Sequence, residues 1–327
     1  MKTIDPKLVT FPEVQRLLQG GVAPRPIALV STLSPEGIPN LSPFSFFNVF
    51  GANPPIVAFS PSRKGRDATL KDTYNNLMAT GECVIHSVSY EMVQQISLAS
   101  SEFEPEVDEF IKAGFTRIES VMVKPFAVKE SAFRMECNLL KMESFGEGGA
   151  AANIAICEVI LFHVAEDIFH DGLIIPDKID LVARMSGDFY SRASGDAVFE
   201  VEKPVGKRCI GFDNLPKFML DSHSYSGNEL GAFANSTGVP DVSENKQILL
   251  AITSKELSGF ENDASAFNRY LRRGEIEKVV KLLFKNNEMM SLPTIQKIKN
   301  FEKSAKLALN LNRLDLAWAL ALEAGKL

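Results

Sequence analysis

The 327-residue chain is 45% hydrophobic and 23% charged, with a formal net charge of −6. That is enough apolar material for a sizeable core, and the acidic balance argues against a polybasic nucleic-acid or membrane-surface binder. No run approaches the roughly 20 apolar residues of a membrane-spanning helix, and the opening "MKTIDPKLVTFPEV" lacks the apolar centre of a signal peptide, so a cytoplasmic protein without membrane or nucleic-acid partners is expected.

The first two hundred residues are rich in strand signals. "PIALVST" (26–32) is apolar and bounded by prolines, "SPEG" turns the chain into "IPNLSPFSFFNVF", and "PPIVAFSP" follows. "CVIHSVS" (83–89), "AFRMECNLLKMESF" (132–145) and "NIAICEVILFHV" (153–164) add three strands with β-branched or aromatic content. Between them, "LKDTYNNLMAT" and "EFEPEVDEFIKAG" read as helices ended by Gly81 and Gly114, since glycine accepts the positive φ of a C-terminus. Strands dominate without β-α-β alternation, so the fold class is mainly β with helices, a barrel in preference to a doubly wound sheet.

After this 1–200 domain, residues 201–263 are rich in Gly, Asn and Pro. They read as a loop-rich extension that wraps the barrel or covers its mouth, with a short helix at "LPKFMLDS". From 264 to 327 the spacing turns helical: Phe267, Leu271, Val279, Leu282 and Leu283 recur on one face, and Leu307, Leu311, Leu314, Trp318 and Leu322 on another. "YLRRGEIEKVVKLLF" and "ALNLNRLDLAWALAL" align loosely, with Gly274 over Asn312 and Ile276-Glu277 over Leu314-Asp315. Two units are too few for a solenoid, so a C-terminal helical hairpin or small bundle is expected.

The stretch "SPSRKGRDATLKDTYNNL" (60–77) concentrates Arg63, Lys64, Arg66 and Lys71 in an acidic chain. The spacing predicts a strand ending at Phe59 or Ser60, a loop through Gly65, and a helix starting near Asp67 to Thr69. Hydroxyls and cations at a helix start suit a phosphate. A solvated loop balancing nearby carboxylates fits the same residues equally well.

The ordered series "PRPIALVST", G-x-P-N-L-S-P-F-S-F-F-N, "PPIVAFSPS" followed by Arg63 and Lys64, then K-D-T-x-x-N, and finally "LVARMSGDFYSR" (181–192) resembles the flavin reductase-like family, over roughly residues 10–195. The resemblance implies an FMN-binding split β-barrel, homodimeric, in which hydride from NAD(P)H, a transient donor, passes to FMN and then to an acceptor. It implies further that Ser42, Ser45 and Asn48 lie along the isoalloxazine edge with Thr32 on the neighbouring strand. Ser60, Ser62, Arg63 and Lys64 would hold the phosphate, with Lys71, Asp72 and Thr73 closing its far side. Arg184 and Tyr190 would approach the flavin from the end of the domain. Asp72 would repel a phosphate directly, so its role is to orient Lys71 or cap a helix. Phe44, Phe46 and Phe47 read as core, whereas Ser45 and Asn48 would be costly to bury without a partner. An electron carrier similar to flavoredoxin, without its own NAD(P)H oxidation, and a non-enzymatic flavin-fold scaffold are the alternatives.

Other patterns carry no site. "GEGGAA" (146–151) matches a dinucleotide fingerprint, but the strand that follows makes it a hairpin turn. Cys83, Cys137, Cys157 and Cys209 lack a C-x-x-C pair and read as buried thiols. His163 and His170 beside Asp171 do not share a face suited to a metal, and "DSHSYSGNEL" lacks a nucleophile elbow. No metal site and no catalytic side chain is assigned.

Overall fold

The computed structural model describes residues 1–327, which divide into two compact units, 1–200 and 201–327. The first unit carries fourteen strands: β1 Arg25–Pro26, β2 Ala28–Leu33, β3 Pro39–Phe44, β4 Phe47–Ala52, β5 Pro55–Phe59, β6 Glu82–His86, β7 Arg117–Ile118, β8 Ala127–Val128, β9 Phe133–Phe145, β10 Ala152–Val164, β11 Phe169–His170, β12 Leu173–Ile174, β13 Val182–Arg184 and β14 Tyr190–Arg192. Its helices are α1 Phe11–Gly21, α2 Asp72–Thr80, α3 Val93–Leu98, α4 Glu109–Ala113 and α5 Pro176–Ile179. Seven strands form one sheet in the order β3-β2-β6-β9-β10-β5-β4, and β1-β13-β14 form a small second one. The fold is a split β-barrel, as expected.

Alternation along the strands builds two apolar layers. Ala28, Val30, Phe59, Ile85, Cys137 and Cys157 fill one face. Leu29 and Leu41 face the other way, onto Met92, Ile96, Phe110 and Val128. The three barrel cysteines are fully buried, and their mutual sulfur contacts, with burial adding to them, push the Cys83 and Cys157 thiols up, which leaves them unreactive.

The two edges of the large sheet are finished differently. On β3 the Leu41 N–H donates to the Glu109 carboxyl of α4 at 3.1 Å, and the residues two places to either side are Pro39 and Pro43, which have no N–H to offer. That edge presents no free donor to another chain. On β4 a register shift falls between Val49 and Gly51, and Val49 (66% exposed) and Phe50 (71%), with Phe46 (44%) in the turn before the strand, stand in solvent.

The GEGGAA turn joins β9 to β10, with positive φ at Gly146 (86°) and Ala150 (61°). Gly81 and Gly114 end α2 and α4 with φ of 73° and 71°. The acidic stretch before α4 is not helical, because the Asp108 side chain takes the Phe110 N–H and caps the helix there.

The second unit is an α-bundle of eight helices: α6 Lys217–Leu220, α7 Gly227–Ala234, α8 Val242–Thr253, α9 Phe267–Arg272, α10 Ile276–Lys285, α11 Asn287–Ser291, α12 Thr294–Asn310 and α13 Leu314–Ala324. Where a loop-rich extension was expected, residues 201–263 carry three of these helices, α6 to α8, and build a core with the rest of their own unit. Leu215, Met219, Phe233, Leu249 and Ile252 share one core with Val279, Ala305 and Trp318. Their glycine and proline content serves helix boundaries: Pro216 precedes α6, and Gly227 opens α7 behind a Ser226–Glu229 capping box.

The weak repeat is real in backbone terms. Gly274 and Asn312 both adopt left-handed φ (71° and 56°). The next N–H in each case reaches back five residues, Glu275 to Tyr270 (3.0 Å) and Arg313 to Ala308 (2.9 Å). The predicted single stripe on α13 is corrected: Leu316 through Ala321 are all buried, so the helix is apolar all round.

Candidate functional site

The cationic stretch occupies the connection from β5 to α2. Its expected helix start at Asp67–Thr69 is displaced to Asp72, with Lys71 as the N-terminal cap in extended geometry. The Asp67 carboxylate takes both the N–H (3.0 Å) and the hydroxyl (2.6 Å) of Thr69, and Ala68 turns to φ 61°, so a local turn outcompetes the helix. The loop is braced from both sides. The Lys64 N–H donates to the Thr69 carbonyl at 2.9 Å and the Arg63 N–H to Ala151 at 3.0 Å. A Cβ on Gly149 would lie 2.4 Å from the Gly65 carbonyl oxygen, so only glycine lets the β9–β10 turn pack on this loop.

With those two amides engaged, the side chains are what the loop offers. The Ser60 and Ser62 hydroxyls are 2.8 Å apart. Arg63 donates from Nη1 to the Ala68 carbonyl at 2.9 Å, while its Nε is buried with no partner. Lys71 lies 5.7 Å from the centre of the Phe44 ring. Burial, and then the neighbouring Lys64, hold its ammonium below the usual lysine range. Arg66 pairs with Asp67 and Glu102, but no carboxylate comes within 4 Å of Arg63, Lys64 or Lys71. Three cations without a carboxylate within 4 Å, one with an orphaned buried N–H, on the same connection as a hydroxyl pair have the chemistry to hold a phosphate dianion.

Thr32 and Thr73 come together through residues to which the sequence reading gave no role. The Asn40 amide donates to the Thr32 hydroxyl (2.9 Å) and to the Thr73 hydroxyl (3.0 Å), and Asn76 donates to Thr32 (3.1 Å), all buried. This network ties β2 and β3 to α2, and so fixes Lys71 at the head of that helix. Both amides stand inside the quoted P-N-L-S-P and K-D-T-x-x-N motifs, which was the signal available for them. Asp72 lies in the first turn of α2, where a carboxylate suits the positive helix end. It also helps, after burial, to push the Glu109 carboxyl up to about 7.

Ser42 and Ser45 are half-buried on β3 and its turn. Asn48 is exposed, its Oδ1 taking the adjacent Val49 N–H at 2.8 Å, and Phe46 is exposed where a core ring was expected. The turn they share is held to the loop by the Ser60 N–H, which donates to the Phe46 carbonyl at 2.9 Å. The Arg25 guanidinium packs 5.9 Å from the Phe46 ring. Arg25 is buried and binds three carbonyls: Gln19, Val22 and Met185.

Arg184 and Tyr190 do not join the 60–73 cluster. They stack on each other at 4.6 Å in a separate cleft beside α3. His163 Nε2 lies 2.6 Å from the buried Glu136 carboxylate. That carboxylate also accepts the N–H groups of Val121, Met122 and Val123.

The site is thus a cation cluster of phosphate-binding chemistry on the β5–α2 connection of an antiparallel split barrel. Residues 21–178 match the model of the flavin reductase like domain. An uncharacterised protein of Halalkalibacterium halodurans is 36% identical over 204 residues, 62% of this chain and 96% of its own length. Among solved structures, nitrilotriacetate monooxygenase component B from Bacillus cereus is 33% identical, with a TM-score of 0.58 over 62% of this chain and 98% of that one. The 2-nitrobenzoate 2-nitroreductase of Pseudomonas fluorescens shares the fold at 24% identity, TM-score 0.56, over 64% of this chain and all of that one. The chain belongs to the flavin reductase-like family and is a flavin-linked oxidoreductase. The helical unit 201–327 lies outside the matched residues.

Proposed function

We propose that the protein is an FMN-dependent NAD(P)H oxidoreductase that works as a homodimer. The observation that carries the reading is the set of three cations, Arg63, Lys64 and Lys71, without a carboxylate partner. Leaving such charges uncompensated against a partly buried surface costs free energy, and a bound phosphate dianion offsets that cost. The Ser60 and Ser62 hydroxyls complete the phosphate contacts. The Ser42–Asn48 turn, tied to the same loop, offers hydroxyls and amides to the isoalloxazine end.

The chemistry such a cofactor supplies is acceptance of a hydride from a reduced nicotinamide and its delivery to an acceptor. The protein's own part is positional: the Thr32–Asn40–Thr73–Asn76 network holds α2 against the sheet, and Gly149 holds the loop. No side chain of the site is required to move a proton. The apolar β4 edge, with Val49, Phe50 and, in the turn before it, Phe46 in solvent, supports pairing with a second copy.

The test is an anaerobic absorption spectrum of the FMN-loaded protein before and after NADH or NADPH. Bleaching of the flavin band by either donor is expected. An unchanged spectrum would favour an electron carrier fed by a protein partner, and failure to take up FMN at all would favour a scaffold.

A further inference from the structure

The cleft between α3 and the β13–β14 hairpin has a volume of about 400 Å³, inside the ~300–1,000 Å³ range of small-molecule sites. Tyr90, Gln94 and Ser97 line one wall, and Arg184, Tyr190 and Arg192 the other. Two arginine–tyrosine stacks face it: Arg184 lies 4.6 Å from the Tyr190 ring centre and Arg192 4.1 Å from that of Tyr90. Each guanidinium is anchored from one side. Arg192 makes a bidentate pair with Asp180 at 2.6 and 2.7 Å, and Arg184 donates to the Gly187 carbonyl at 2.7 Å with Asp188 at 3.7 Å. A guanidinium has five N–H donors, so each arginine keeps donors free. Held flat on a ring, it offers a face to a planar base and an edge to a phosphate.

Position and topology narrow the ligand. Arg184 is the strand partner of Arg25, and Arg25 packs on Phe46 in the turn that carries Ser45. The cleft therefore adjoins the expected isoalloxazine end and not the phosphate loop. The chain's one G-x-G-x-x-A stretch is a hairpin turn, so no glycine-rich βα unit is present there to hold the second nucleotide of a dinucleotide. We infer that this cleft binds the adenosine-phosphate end of the nicotinamide donor, the base stacking on the Arg–Tyr pairs and the phosphate meeting their guanidinium edges. The inference rests on the proposed NAD(P)H-dependent reading, and it gives Arg184 and Tyr190 to the donor in place of the flavin.

The experiment uses full-length, FMN-loaded protein and adenosine monophosphate as probe, by calorimetry, with Arg184→Ala and the cleft-filling Ser97→Trp as variants. Ser97 is exposed, so the second variant keeps the test alive if the first misfolds. Expected are saturable AMP binding that falls about tenfold in each variant and FMN affinity within about twofold of the parent. KM for the dinucleotide should rise about tenfold at unchanged kcat, with no such change for reduced nicotinamide mononucleotide. No AMP binding at concentrations on the order of 10 mM, or variants that lose FMN instead of AMP, would overturn it. AMP binding without bleaching by either nicotinamide would uphold the cleft and sink the donor reading. Bleaching without AMP binding would do the reverse.

Discussion

Around residues 60–73, Arg63, Lys64 and Lys71 have no carboxylate within 4 Å, whereas in the α3 cleft Arg192 is paired with Asp180 and Arg184 lies 3.7 Å from Asp188. Both regions are cationic by residue type, yet only in the first do the cations lack a directly paired carboxylate. A compensated, stacked arginine is a rigid platform whose selectivity comes from shape. An uncompensated cluster is an electrostatic site whose occupant must supply the missing negative charge. The loop thus calls for a dianion, and the cleft for a flat base whose phosphate meets the guanidinium edges that stay free.

That contrast breaks most sharply if the loop is given what the cleft already has. Ser62→Asp would place a carboxylate among the three cations. FMN affinity is expected to fall by about 10²-fold or more, measured by flavin fluorescence, because one lost charge-assisted contact at ~1.5–3 kcal/mol is joined by direct repulsion. Removing cations should act in the same direction: Arg63→Ala with Lys64→Ala is expected to weaken FMN by about 10²-fold and riboflavin by much less. An aspartate variant that binds FMN as the parent does would remove the charge argument.

Smaller effects come from the scaffolds behind each region. Asn40→Ala leaves the buried Thr73 hydroxyl without its amide donor and Thr32 with Asn76 alone, and should cost roughly 1–3 kcal/mol in chemical denaturation while loosening the Lys71 corner. Behind the cleft, the buried His86 ring bonds the Leu29 carbonyl through Nδ1 (2.7 Å) and accepts the Val128 N–H through Nε2 (2.9 Å), an arrangement that requires the neutral ring. Burial brings its pKa down to about 4 from an unfolded value near 6.5. The folded state therefore binds fewer protons between those values, and stability is lost as pH falls from about 6.5 to about 4, by roughly 3 kcal/mol. A His86→Gln variant should show a flatter acid limb in thermal melts. An identical limb would assign the acid sensitivity to other groups.

The helical unit supplies the zero-effect control. Trp318 is buried, packs edge-on against Phe233 at 4.9 Å and donates to the Ser236 hydroxyl at 2.8 Å. Its fluorescence should be blue-shifted and shielded from iodide. Ser236→Ala should destabilise this unit by about 1–3 kcal/mol with FMN affinity unchanged. A flavin response to that change would show that the stability of the helical unit is coupled to the loop.

What the sequence made legible follows the range of the interactions involved. Strand placement came through because alternation is local, and the phosphate loop because four cations crowd twelve positions (60–71) of an acidic chain. Asn40, Asn76 and Glu109 did not, since each finds its role only when a partner 8 to 68 residues away arrives. The helix start was misjudged because Asp67 competes for the amide and hydroxyl of Thr69, a local contest that propensity does not resolve. In the 201–263 segment the short helix at "LPKFMLDS" was legible, whereas α7 and α8 were not, because their first turns (Gly227-Asn228-Glu229 and Ser243-Glu244-Asn245) read as loop. Gly274 over Asn312, a loose textual match, proved to be one backbone conformation used twice.

The central claim is that Arg63, Lys64 and Lys71 await a phosphate, and the direct measurement is a fluorescence titration of the apoprotein with FMN and with riboflavin, which differ by that group alone. The predicted result is FMN bound about 10²-fold or more tightly, with the gap narrowing as ionic strength rises. Equal affinities for the two flavins would contradict it.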